Sequence, residues 1–203
     1  MNLIIKDPAT GERVIRNLET NLGDLVADAY RTATGADVAL VNGGGIRATI
    51  EAGDITIGDV MSVFPFSNTL TFLEIKGSEL RKAVRNFERK AAFSGATITY
   101  RGSQPIDIKI QGKALDNNAI YKIVTVNFVA EGGDNIFKDI RFESRQNTEV
   151  IIYDFIIDEI KKITAEYSNG GITVVARGDM TIDKIAVTPE AYDEVKAGKP
   201  ARF

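Results

Sequence analysis

Apolar residues recur along this chain with two distinct periods. Leu22, Leu25, Val26, Ala29 and Tyr30 fall on one helical face, while Asp24 and Asp28 fall on the other. The spacing predicts a helix over residues 21–33, with Thr20 or Asn21 capping its first turn and Asp24 near the positive end of its dipole. Leu80, Ala83, Val84, Phe87 and Ala91 predict a second long helix, capped by Ser78 and reaching residue 93. A third, over 148–167, turns Val150, Ile151, Phe155, Ile156, Ile160 and Ile163 inward and stops at Asn169-Gly170-Gly171. A short helix begins at Thr56, which can cap it. Between these, short apolar or alternating runs predict strands at 36–41, 69–76, 96–100, 106–111, 120–128 and 172–176. The mixture predicts an α+β fold: one compact domain over residues 1–188, with a mixed β-sheet carrying the helices on its faces. The polar tail, 189–203, is expected to fray.

Composition narrows the chemistry. The 203 residues carry 25 Lys plus Arg against 28 Asp plus Glu, a formal net charge of −3. A nucleic-acid binder working by bulk electrostatics usually shows a basic excess instead. No apolar run approaches the roughly 20 residues of a membrane span, and Met1 to Thr10 lack a signal-peptide pattern. With no Cys, there is no disulfide framework and no thiolate site. The absence of His matters more. It removes Ser-His-Asp triads, Cys-His pairs and His-ligated metal centres, along with the commonest general base. Catalysis by this chain alone would rest on carboxylates, Lys, Tyr or a borrowed cofactor. Composition thus favours a binding role, with no catalytic or metal-ligating residue assigned.

Three loops follow or precede strands and combine residue types that a plain turn does not require. Asn42-Gly43-Gly44-Gly45-Ile46-Arg47 spends three consecutive Gly residues beside an Arg. That pattern suits backbone N–H groups brought close to an anion, with Arg47 as a clamp; it also suits a tight turn with a solvated Arg. Phe64-Pro65-Phe66-Ser67-Asn68 places an aromatic before a polar turn, and Asn127-Phe128 leads through Gly132-Gly133 to Asp134. Taken alone, each of these reads first as a core Phe beside a solvent loop. Taken together, two rings could sandwich a planar heterocycle, a carboxylate could accept from a ribose diol, and Arg with Gly amides could hold a phosphate. Those are the parts of a nucleotide.

At these residues the sequence resembles the C-terminal domain of the 5′-nucleotidase family, which includes UDP-sugar hydrolases and cyclic-nucleotide phosphodiesterases. Thr20-Asn21-Leu22-Gly23-Asp24-Leu25 resembles the family's helix start, and Asn42-Gly43-Gly44-Gly45-Ile46-Arg47 its most specific string. Glu51-Ala52-Gly53-Asp54-Ile55-Thr56, Phe64-Pro65-Phe66-Ser67-Asn68, Asn127-Phe128 and Gly132-Gly133-Asp134 follow in the expected order. The resemblance implies that Phe66 and Phe128 clamp the nucleobase and that Asp134 accepts from the ribose hydroxyls. It implies that Arg47 and Arg16 bind substrate, that Asn42 contacts sugar or base, and that Gly44 and Gly45 line the same site. The family's further upstream Arg is replaced by Glu12, with Arg13 beside it. Its Gly-Gly-Asp-Gly-aromatic loop is replaced by Gly132-Gly133-Asp134-Asn135-Ile136-Phe137, where Asn tolerates the left-handed turn and the shifted aromatic would alter the pocket rim.

The resemblance also implies what is missing. Family chemistry resides in an N-terminal metallophosphoesterase domain, whose D-x-H and G-N-H-[DE] strings hold two divalent metal ions. Neither string occurs here. The expected role is therefore recognition of a nucleoside or nucleoside monophosphate, as the specificity half of a two-domain phosphoric ester hydrolase whose domains rotate to close. No cofactor, nucleic acid or membrane contact is expected of this chain itself, and the parent protein is expected outside the cytoplasm. The alternative is a stand-alone, non-enzymatic nucleotide-binding or surface-interaction module.

Overall fold

The computed structural model describes residues 3–7, 9–87, 91–168, 173–178 and 181–186. Helix α1 (Asn21–Thr34) starts where Thr20 Oγ1 accepts from Gly23 N at 3.2 Å, and it ends on Gly35 at φ 66°. Asn21 serves elsewhere: its side-chain oxygen accepts from Ile4 N. Strand β1 (Val38–Asn42) is buried throughout. Helix α2 (Ile57–Val63) opens with a reciprocal cap between Thr56 and Asp59. Strand β2 (Thr69–Lys76) leads into α3 (Gly77–Phe87). The first N–H groups of α3 donate to the carbonyls of Ala119 and Asn117 rather than to the expected Ser78 side chain.

The second long helix is shorter than its periodicity predicts. It does not reach residue 93, because β3 (Ala91–Ser94) pairs antiparallel with β1 instead. Ala91 and Phe93 suit either period, and pairing with the buried β1 backbone decides the outcome. A meander follows: β4 (Ala96–Arg101), β5 (Gln104–Ile110) and the short β6 (Lys113–Ala114). Strand β7 (Ile120–Val126) ends two residues early, because Asn127 turns the chain into a single-turn helix, α4 (Asn127–Ala130). Phe128 therefore sits on a helical turn, not at a strand end. The third predicted helix also divides. Its first residues belong to β8 (Ser144–Ile151), and α5 runs Ile152–Ser168. Val150 and Ile163, expected inside, are exposed. Strands β9 (Thr173–Gly178) and β10 (Thr181–Ala186) form a hairpin; β10 was not expected. Asn169-Gly170-Gly171, Ile172 and the 189–203 tail lie outside the described residues.

The main sheet runs β3-β1-β7-β2-β8, and it is mixed as expected. Strands β1 and β7 are parallel, pairing Val38 with Ile123; β2 is antiparallel to β7, pairing Leu70 with Val126. One face meets α3 and the β4-β5-β6 sheet, where Val38, Leu40 and Ile123 pack with Leu80, Val84, Phe87, Ile98 and Ile108. The side chains next to them in β1 point the other way, where α1 and α5 join through an edge-on contact between Tyr30 and Phe155 at 5.7 Å. This strand order sets the site: β1 and β7 end, and β2 begins, at one edge of the sheet. Among the described residues no helix is long and apolar enough to cross a membrane.

Candidate functional site

The three loops singled out in the sequence meet at that edge, tied pairwise. Asn42, the last residue of β1, donates from Nδ2 to Asp134 Oδ2 at 2.7 Å. The Asn127 side chain accepts from Thr69 N at 3.0 Å, joining the α4 loop to the segment that carries Phe66. Arg47 N donates to Val63 O at 2.9 Å, joining the triglycine loop to the residue before Phe64. Each tether crosses between loops, so the three are held as a closed set.

Asp134 lies at the centre. Besides Asn42 it pairs with Arg16, Nη1 to Oδ1, at 3.4 Å. Its backbone is left-handed at φ 54°, and Asn135 follows at φ 56°. Asn135 thus takes the left-handed conformation expected of it, as polar short side chains tolerate this region. Asn42 is 4% exposed, and one of its amide hydrogens is used on Asp134. Gly44 lets Arg16 lie close over the loop: a Cβ there would come 2.3 Å from Arg16 Nη2 and 3.2 Å from Asp134 Oδ2, and would displace the guanidinium. At Gly45 a Cβ would come 3.0 Å from Asn42 Oδ1. Arg47 is exposed and reaches Gly44 O from Nη1 at 3.3 Å.

Two residues carry more than their sequence context suggested. Arg13 braces the triglycine loop from below, with Nη2 donating to Gly43 O at 3.1 Å and Ile46 O at 2.5 Å. Its Nε is buried without a hydrogen-bond partner among the described residues. Burial, then the positive charges of Arg47 and Arg16, hold its guanidinium below its ordinary value. Arg13 and Arg47 thus both bond to carbonyls of the triglycine loop, and Arg16 packs beside Gly44 while pairing with Asp134, so three guanidiniums gather at one loop, an arrangement that favours an anion. The neighbouring Glu12 is exposed. The second residue is Gly133, which forms the floor under Phe128: a Cβ there would lie 2.3 Å from Phe128 Cε1. Its place in a Gly-Gly pair was the only signal.

The aromatics divide by burial. Phe66 and Phe128 are 46% and 43% exposed, unlike the buried Phe64. Phe137, expected at the rim, is instead in the core, edge-on to Phe87 and Phe142. The donor set does not fit a di-metal centre. The chain has no His or Cys, and among the described residues no three acidic side chains gather as metal ligands.

Comparison with known proteins places this arrangement. The profile of the 5′-nucleotidase C-terminal domain matches residues 5–140, from ahead of Arg13 through the Asp134 loop. The chain belongs to that family. Relatives of this C-terminal domain include protein UshA of Yersinia enterocolitica, 39% identical over 155 residues that cover 73% of this chain and 28% of UshA. The trifunctional nucleotide phosphoesterase YfkN of Bacillus subtilis is 33% identical over 73% of this chain and 12% of its own length. Among solved structures, the 5′-nucleotidase precursor of Thermus thermophilus superposes with a TM-score of 0.70 at 32% identity. That match covers 80% of this chain and 35% of the precursor. The chain thus spans between about an eighth and a third of these relatives.

Proposed function

We propose that this domain binds a nucleoside monophosphate for a metal-dependent phosphoesterase, clamping base and ribose while another domain of the same polypeptide supplies the two metal ions. The observation that carries this reading is Asp134, held by Asn42 and Arg16 at the junction of three tethered loops. A carboxylate fixed in this way accepts from a ribose diol. Phe66 and Phe128, both left half exposed, offer faces for a base. Arg16 and Arg47 hold the phosphate, with Gly44 and Gly45 keeping the loop close to it. Arg13 acts on the loop rather than on the ligand. Two relatives are named as nucleotide phosphoesterase or 5′-nucleotidase, which supports the substrate class, and one is described as a precursor, which supports export of the parent protein.

Calorimetry with AMP, adenosine and ribose 5-phosphate tests the reading directly. AMP should bind most tightly, and Phe66→Ala or Phe128→Ala should each cost about 1–3 kcal/mol of AMP affinity. The chain alone should release no phosphate from AMP with Mn²⁺, Zn²⁺ or Co²⁺ present. Unchanged affinity in both Phe variants would remove the clamp, and phosphate release above a matched blank would remove the division of labour.

A further inference from the structure

We propose that Arg145 is a positioning residue for the Phe128 ring, a role resting on the reading of Phe128 as a base-stacking side chain. Helix α4 is one turn long, too short to hold itself, and no side chain caps its start. Its carbonyl end is bound from outside. Arg145 donates from Nη1 to Ala130 O at 3.3 Å and from Nη2 to Glu131 Oε1 at 2.9 Å. A cation at a helix C-terminus also complements the helix dipole.

The guanidinium is itself oriented by the sheet. Arg145 lies on β8 opposite Leu73 of β2, and its Nε donates to Asn147 Oδ1 at 3.0 Å. The same oxygen accepts from the hydroxyl of Thr71, a fully buried residue of β2, at 3.2 Å. Beyond Glu131, Gly132, Asp134 and Asn135 all have positive φ. Such a segment keeps its shape only when its surroundings hold it. Asn42 and Arg16 hold the far end at Asp134, and Arg145 holds the near end at Ala130 and Glu131. Between these anchors the Phe128 ring rests on Gly133. Arg145 therefore orders the ring without touching the ligand. A Lys cannot replace the planar fork that serves three acceptors at once.

The test uses Arg145→Gln and Arg145→Lys in the full chain. In Arg145→Gln, AMP affinity should fall about three- to thirtyfold while ribose 5-phosphate affinity stays the same. Combined with Phe128→Ala, the change should add no further loss, and Arg145→Lys should recover only part of the affinity. Equal losses for both ligands, or full additivity with Phe128→Ala, would overturn the proposal. A ligand-free readout separates this idea from the proposed function: amide exchange at residues 131–134 and the NMR signals of a labelled Phe128 ring. Faster exchange and an averaged ring in Arg145→Gln, or in Arg145→Lys should the Gln variant not fold, support positioning even if AMP fails to bind. Unchanged exchange and ring signals overturn it.

Discussion

A methyl group placed at Gly133 isolates the contribution of one ring. The Cβ of Gly133→Ala would lie 2.3 Å from Phe128 Cε1 and 2.5 Å from both Cδ1 and Cζ. Carbon atoms in comfortable contact sit about 3.5–4.0 Å apart, so the ring must retreat by about 1 Å or more. Phe128 is 43% exposed, so it has room to swing outward. Gly133 is not among the residues with positive φ, so Ala fits its backbone. The entropy lost from the unfolded chain then favours Ala by about 0.4–1 kcal/mol, which offsets the lost ring contact. Stability should therefore change by less than about 1 kcal/mol in urea titrations. AMP affinity should fall by the stacking contribution, about 1–3 kcal/mol; at 1.4 kcal/mol per tenfold, that is about five- to 150-fold. Ribose 5-phosphate should bind as before. Gly132→Ala is the control. Gly132 sits at φ 101° with nothing near its Cβ position, so Ala there strains the backbone without pushing the ring. Gly132→Ala should lose more stability and less of the preference for AMP over ribose 5-phosphate. Wild-type AMP affinity in Gly133→Ala, or an equal loss for ribose 5-phosphate, would refute the reasoning.

The remaining predictions concern the carboxylate, the core and a helix start. Asp134→Asn keeps the left-handed turn but removes the charged acceptor; AMP and 2′,3′-dideoxy-AMP should then bind alike by calorimetry. Its folding cost should stay under about 1 kcal/mol, since the Arg16 partner is 42% exposed. Tyr30 is fully buried, its hydroxyl has no hydrogen-bond partner among the described residues, and burial pushes its pKa up. Tyr30→Phe should therefore hold or raise stability, by about 1 kcal/mol, because an unsatisfied buried hydroxyl is removed while the packing on Phe155 remains; a lower urea midpoint would count against this. Hydrogen bonds from the Thr56 hydroxyl and then its backbone N–H hold the Asp59 carboxyl below its ordinary value. The unfolded carboxylate titrates near about 3.9. The cap's contribution is therefore complete above that pH and is lost as pH falls through the lower folded value. The Thr56 amide shift should follow that titration and be pH-independent in Asp59→Asn.

Local signals were legible where a single helix or loop decided the outcome. Helix α1 followed its apolar face and its Thr20 cap, and the α2 start followed Thr56 with Asp59. Structure set by a distant partner was not. Ala91-Ala92-Phe93 extends the periodicity of α3, yet pairing with β1 makes it a strand. Ser144 to Glu149 is polar and mostly exposed, because β8 is an edge strand with no apolar alternation to reveal it. The same division runs through the site. Asn42, Gly44, Arg47 and Asp134 stand in strings whose composition already suggested a ligand. Arg145 gave no such signal, since its meaning arises only when β8 lies beside β2. Arg13 drew notice only as the neighbour of Glu12; its two carbonyl partners lie 30 and 33 residues away.

The geometry around Asp134 divides the site into a fixed part and a movable part, and the two should answer to different conditions. Asn42 is buried and holds one oxygen at 2.7 Å; Arg16 is partly exposed and approaches the other at 3.4 Å. A carboxylate has about four acceptor positions, so a diol can bind without displacing either donor. On the proposed reading, ribose recognition would rest on a group oriented before the ligand arrives, which reduces the ordering cost of binding. On the same reading, phosphate recognition would rest on Arg16 and the exposed Arg47, whose interactions pass through solvent and are screened by salt. Raising the ionic strength should weaken AMP toward the affinity of adenosine, while the discrimination between AMP and its 2′,3′-dideoxy form stays nearly constant. If both preferences fell together, Asp134 would be held by its charge pair with Arg16 rather than by Asn42, and the division into two parts would be wrong.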